Sequence, residues 1–306
     1  MTGLYVLEQG LNGLQFGLML FLLAAGLTLV FGIMDLINLA HGSLYMVGAY
    51  LAATLTHATG SFALAVPLAI VATAVIGMLL ETAVLRPLYR RDHMSQVLAT
   101  FGVILIANEL TRAIWGVQPL NLNVPAALSG SVELLPGVQY SAYRLVIIGV
   151  GLAVAGLLYL AVVHTRVGML VRAGASNRDM ATAMGTDIRR LFTIVFGCGA
   201  ALCALAGAML GPLLAVQVGM GENILILAFV VVVIGGIGSI RGALVGALLV
   251  GAVDTFGRAF IPTALRAVLP PTVADAAGPP LAAISIYIVM VGVLFWKPRG
   301  LFPARG

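Results

Sequence analysis

The chain has 306 residues, 61% of them hydrophobic and only 9% charged, with a net charge of +5. A soluble domain carries about a quarter of its residues as charges, so this composition excludes a soluble globular fold and specifies a polytopic membrane protein. Nucleic acid is not the reason for the positive balance: the single lysine and most arginines lie in short segments between apolar runs, where positive charge retains a loop in the cytoplasm.

The first apolar run, 11–34, has no basic residue before it and therefore reads as a retained span, not a cleaved signal. A second run, 36–56, follows at once, and Asp35, Asn38 and His41 interrupt the two. Polar groups at this depth normally face protein or water. They fit either a solvated turn at the inner surface or a broken helix whose unwound ends line a path, in which case 35–56 is re-entrant. Runs 62–85 and 95–116 are separated by Arg86, Arg90 and Arg91. In the second of these, Glu109 and Arg112 are spaced to pair on one helical face, as an internal ion pair between helices, and Asn108 beside them is a candidate pathway residue. A loop over 117–142 leads to the run 143–163.

The stretch LVRAGASNRDMATAMGTDIRRLF (170–192) lies in a polar segment, 166–191, that is out of character with its apolar flanks. Residues 173–176 (AGAS) are expected to break the preceding helix. Ser176 and Asp179 have the spacing of a capping box, and Gly185 suits the position just past a helix end. The segment thus predicts a short helix over about Asn177–Met184, with Met180, Ala181 and Met184 on one face. Alone in water such a helix is marginal. Either lipid headgroups hold it, or the cleft of a cytoplasmic partner does, with the small Ala181 and Gly185 allowing close approach.

The run 192–216 contains both cysteines, Cys198 and Cys203, whose spacing turns them to different faces, so neither a disulfide nor a metal pair is expected. Gly199, Cys203, Gly207 and Gly211 form a stripe of small residues that admits a neighbouring helix closely. Runs 223–240 and 242–262 follow, joined through IGGIGSIRG, where Gly238, Gly242 and Gly246 are expected to act the same way. The lysine of a phosphate loop is missing there. A loop over 263–280 precedes the last run, 281–296.

These are nine runs, with eight to ten spans allowed, and all should be helices, because lipid leaves no other way to satisfy the backbone short of a closed barrel. Placing Arg86, Arg90, Arg91, Arg166, Arg172, Arg178, Arg189, Arg190, Arg241, Lys297, Arg299 and Arg305 inside puts twelve of the 16 basic residues in the cytoplasm. The N-terminus is then outside and the C-terminus inside. The expected fold is an all-α bundle, one transmembrane domain over 1–306 with a cytoplasmic segment at 166–191.

Several stretches together carry a family resemblance: GLTLVFGIMDLINLAHGSLYMVGAYLA (26–52), LATFGVILIANELTRAIWG (98–116), VVVIGGIGSIRGALVGALLVG (231–251) and KPRGLF (297–302). They are similar to the LivH-type permeases of bacterial branched-chain amino acid ABC importers, over about 10–302. The polar segment resembles the coupling loop of such permeases, which implies a role in contacting an ATPase for Ser176, Asp179, Ala181, Met184 and Gly185. The resemblance further implies a second, LivM-like permease, two cytoplasmic ATPases that bind the ATP and Mg, a periplasmic substrate-binding protein and a place in the bacterial inner membrane. No cofactor of this chain and no nucleic acid are expected. Asn38, His41 and Asn108 are the candidate pathway residues. The closest alternative is the permease of a urea or short-chain amide importer. An ion-coupled secondary carrier is a more distant one, since Glu81 and Asp254 lie towards span ends and Glu109 has an arginine partner. No arrangement of Ser-His, His-Glu-x-x-His or paired Asp supports an intramembrane enzyme.

Overall fold

The computed structural model describes residues 2–136 and 138–302. The first helix, α1 (Thr2–Met34), runs unbroken for 33 residues, about 50 Å at 1.5 Å per residue. Every residue from Gly17 to Val30 is buried, as expected of a helix that is apolar all round. Then the chain breaks. Asp35 takes a positive φ of 50°, residues 35–40 are non-helical, and α2 (His41–Thr59) begins.

The next helix, α3 (Phe62–Leu80), continues through a π turn (Glu81–Leu85) and a 3-10 turn (Arg86–Arg90). Asp92 caps α4 (His93–Trp115), accepting from the amide and the hydroxyl of Ser95, and these hydrogen bonds hold its carboxyl below the usual carboxylate range. The loop beyond α4 is not purely irregular: β1 (Ser131–Leu135) pairs antiparallel with β2 (Val138–Ser141). The expectation of an all-α chain is corrected by this one hairpin. After it come α5 (Ala142–His164), α6 (Arg166–Ser176), α7 (Arg178–Ala183), α8 (Ile188–Leu210), α9 (Met220–Gly235), α10 (Ile240–Arg266) and α11 (Pro271–Trp296).

Each apolar run carries a helix, and the fold is a mostly helical bundle. Among the described residues seven helices are long and apolar enough to cross a membrane: α1, α3 with its extension, α4, α5, α8, α10 and α11. The shorter α9 has 16 residues, and α2 is not among the seven. Most of 263–280, expected as a loop, is helical, because α10 extends to Arg266 and α11 starts at Pro271. Proline is tolerated in the first turn of a helix, where its missing N–H costs nothing.

Helices α1 and α8 form the centre and run antiparallel. Near Gly174 of α6 the end of α1 (Ile33) meets the start of α8 (Ile188 and Leu191), while Gly26 of α1 packs directly on Gly199 of α8. Around them the packing is reciprocal: α8 contacts α1, α2 and α3, and α1 contacts α8, α9 and α10. Helix α2 starts beside Gly199 and Cys203 and accompanies the second half of α8. Helix α9 ends near Gly242 and the chain segment at 299–302 and accompanies the second half of α1. The trios α1–α3 and α8–α10 thus mirror one another's packing with inverted direction.

Candidate functional site

The polar segment forms two helices. Thr165 caps α6, accepting from the Gly168 amide at 3.2 Å. AGAS does not break the helix but forms its last turn, and the break falls at Asn177, in extended conformation. The cap of α7 is therefore Asn177 and not Ser176: its Oδ1 accepts from the Met180 amide at 2.9 Å. The Asp179 side chain, expected to complete a capping box, lies outside the described residues. At the other end Gly185 has φ 85°. The Gly185 amide reaches the Thr182 carbonyl (2.9 Å) and the Thr186 amide the Ala181 carbonyl (3.0 Å), the two bonds that close a helix over a left-handed residue. Ala181 is turned inward and buried, whereas Met180 and Met184 are 61% and 80% exposed. One turn apart, they present flexible, polarizable side chains on the outer face of α7. Asp187 then caps α8 and pairs with Arg190 at 3.0 Å.

Directly beneath lies a network that the sequence reading missed. Glu81, on the π turn of α3, is fully buried. It accepts from Arg86 (2.9 and 3.2 Å), from the Tyr89 hydroxyl (2.7 Å) and from Thr193 of α8 (2.8 Å). A buried carboxylate with this many donors is satisfied, and it ties the inner end of α3 to the first turns of α8. An open cleft of about 420 Å³, lined by Arg86, Asp187, Arg189, Arg190, Thr193 and Ile194, adjoins it. The five-residue spacing of Glu81 and Arg86 hid this pair, because it faces across an α-helix only where a π turn inserts the extra residue.

The break after α1 is solvated only at its first residue, Asp35, which is exposed. Asn38 and His41 are fully buried. Asn38 Oδ1 accepts from the Ala40 amide at 3.0 Å, and His41 Nε2 lies 3.0 Å from Cys203 Sγ. Asn38 Nδ2 and His41 Nδ1 have no hydrogen-bond partner. His41 sits beside Gly26 and Gly199, and Gly199 is roughly 17 Å along α8 from its first residue. Helix α2 thus starts about half-way through the layer of spanning helices. Its second residue, Gly42, touches Gly221 of α9 backbone to backbone, so two half-helices meet at their N-termini in the interior. The re-entrant reading of 35–56 fits this geometry.

Asn108 of α4 lies apart from that pair. Its Nδ2 donates to Glu222, in the first turn of α9, at 2.5 Å. Glu109 and Arg112 do pair, at 2.7 Å, but both are exposed (69% and 49%), so the expected internal ion pair is corrected to a surface one. Among the glycines, Gly199, Gly207 and Gly211 lie against Gly26, Tyr45 with Ala49, and Leu122, and Cys203 against His41. Gly242 and Gly246 pack on α9. Gly238 differs from the helical stripe expected of it. With φ 79° it sits in the loop between α9 and α10, against Gly32.

The profile of the family described as branched-chain amino acid transport system / permease component matches residues 10–294. The high-affinity branched-chain amino acid transport system permease protein BraD of Pseudomonas aeruginosa is 30% identical over 97% of this chain and 95% of its own length. The LivH permease protein of Escherichia coli K12 is 29% identical over 87% and 90%, and a probable LivH protein of Methanocaldococcus jannaschii 30% identical over 76% and 75%. No solved structure matches. With its apolar helices, the buried starts of α2 and α9 and a profile match over nearly its whole length, the chain belongs to the family of membrane permease components of branched-chain amino acid transport systems.

Proposed function

We propose that the chain is one of two homologous permease subunits of an ATP-driven importer that takes branched-chain amino acids from a periplasmic binding protein across the bacterial inner membrane. The second subunit is LivM-like, and two cytoplasmic ATPases bind the ATP and Mg. The whole chain is one transmembrane domain that crosses nine times, N-terminus outside and C-terminus inside. In two of the nine passes, 35–59 and 211–235, a non-helical return is followed by a half-helix. The segment 166–191 is the coupling element. The match over residues 10–294 carries the reading. The capped helix α7 with its outward Met180 and Met184, on the side richest in arginine, supports the coupling role.

The test is reconstitution in vesicles. The chain together with a LivM-like permease, ATPases and binding protein accumulates leucine only when ATP is supplied, and urea does not compete. Concentrative leucine uptake by the chain alone, or uptake by the complex that ignores ATP, contradicts the reading.

A further inference from the structure

Glu222 is a carboxylate within the membrane layer that forms no ion pair among the described residues. Its neighbour Gly221 touches Gly42 at the start of α2, which in turn starts beside Gly199 and Cys203 in the middle of α8. Its hydrogen-bond partner Asn108 is 15 residues into α4, about 22 Å from the inner end of that helix. The first line gives the middle of the membrane layer and the second a level about two-thirds of the way along α4 towards its outer end, so the carboxylate lies within the layer. There an ionised group is costly unless it faces water or finds a partner of opposite charge.

The described residues hold five ion pairs, and none of them contains Glu222. The basic residue one turn beyond Asn108, Arg112, is engaged by Glu109. Glu222 is half-buried, and polar neighbours continue from it on the open side: Gln217 and Asn223 are exposed. Flanking this polar strip one turn away are exposed apolar side chains, Leu105 on α4 (52%) and Ile226 on α9 (51%). A strip of this kind does not suit lipid. It suits the wall of a hydrated path, closed by the facing permease.

We propose that Glu222 binds the α-ammonium of the translocating amino acid, with Asn108 holding the carboxylate in place and Leu105 and Ile226 receiving the aliphatic side chain. The inference rests on the importer reading above. Asn108 occupies one lone pair of the carboxylate, which has about four sites, so the others are left to accept N–H bonds from an ammonium. Glu222 stands in the first turn of α9, at the positive end of that helix's dipole. An uncharged amide or urea offers this carboxylate no such charge, and the site therefore selects for amino acids.

The experiment uses the full complex in vesicles with saturating binding protein. Glu222→Gln keeps an acceptor for Asn108 and removes only the charge. It is expected to lower leucine uptake at least tenfold while the chain still co-purifies with its partner subunits in wild-type yield. Glu222→Asp restores part of the uptake, and Asn108→Ala lowers it less than Glu222→Gln. Uptake by Glu222→Gln within twofold of wild type overturns the proposal. So does a parallel loss of co-purification, which makes the carboxylate a partner of a cation on another subunit. Equal effects of Asn108→Ala and Glu222→Gln also overturn it, as they make the pair a link between helices. A wild-type complex that takes up no leucine defeats the importer reading itself, a result separable from all of these.

Discussion

Gly185 has open space around the place a Cβ would occupy, yet its φ of 85° is one that L side chains rarely adopt. A β-branched residue there pays for the left-handed backbone, roughly 1–2 kcal/mol, and not for a clash within this chain. Gly185→Val should therefore insert and express normally while losing ATPase association or substrate-stimulated hydrolysis, and Gly185→Asn, which tolerates this conformation, should stay close to wild type. Co-purification and hydrolysis assays on the two variants check this, and equal loss in both removes the backbone explanation. Gly48 is the opposite case: a Cβ there would run into Ala204 of α8. Overpacking a tight interior costs about 1–3 kcal/mol, so Gly48→Ala should lower the melting temperature in detergent, whereas Gly156→Ala, with nothing within 4 Å, should not. Gly185 was legible from the sequence because it ends a polar helix. The Glu81 network and Glu222 were not, since their partners lie on other helices or across an irregular turn.

At the scale of the element, the corrected cap of α7 gives a sharp expectation. Asn177 accepts from the Met180 amide, and loss of such a cap costs about 0.5–2 kcal/mol, a large share of what holds a six-residue helix together. Asn177→Ala should weaken substrate-stimulated hydrolysis several-fold, while Ser176→Ala, which changes the last residue of α6, should leave it unaltered. The reverse result would return the cap to Ser176. The positions of the apolar helices could be read from the apolar runs, because a long apolar stretch in lipid has little choice but a helix. The helix ends were less legible. The stretch 211–219 is nearly as apolar as the helices it separates, so the run 192–216 reads through the real end of α8 at Leu210. Tertiary packing, of His41 on Gly199 and Cys203 and of Gly42 on Gly221, is what shows that α2 and α9 begin in the interior.

For the whole molecule, the inverted arrangement of α1–α3 and α8–α10 places two helix starts at the centre, and α4, α5 and α11 are left mostly exposed. The arginine bias predicts that a cysteine at position 301 reacts only from the inner side of sealed vesicles and one at position 5 only from the outer side, with Cys198 and Cys203 replaced by serine. The opposite labelling would invert the orientation. The account depends most on α7 being the place where the ATPases engage the chain. Its most direct test is a photo-crosslinker at position 184 in native membranes. The account predicts an adduct with an ATPase subunit that changes in yield when ATP is added. An adduct with lipid alone, under conditions where the complex imports leucine, would contradict it.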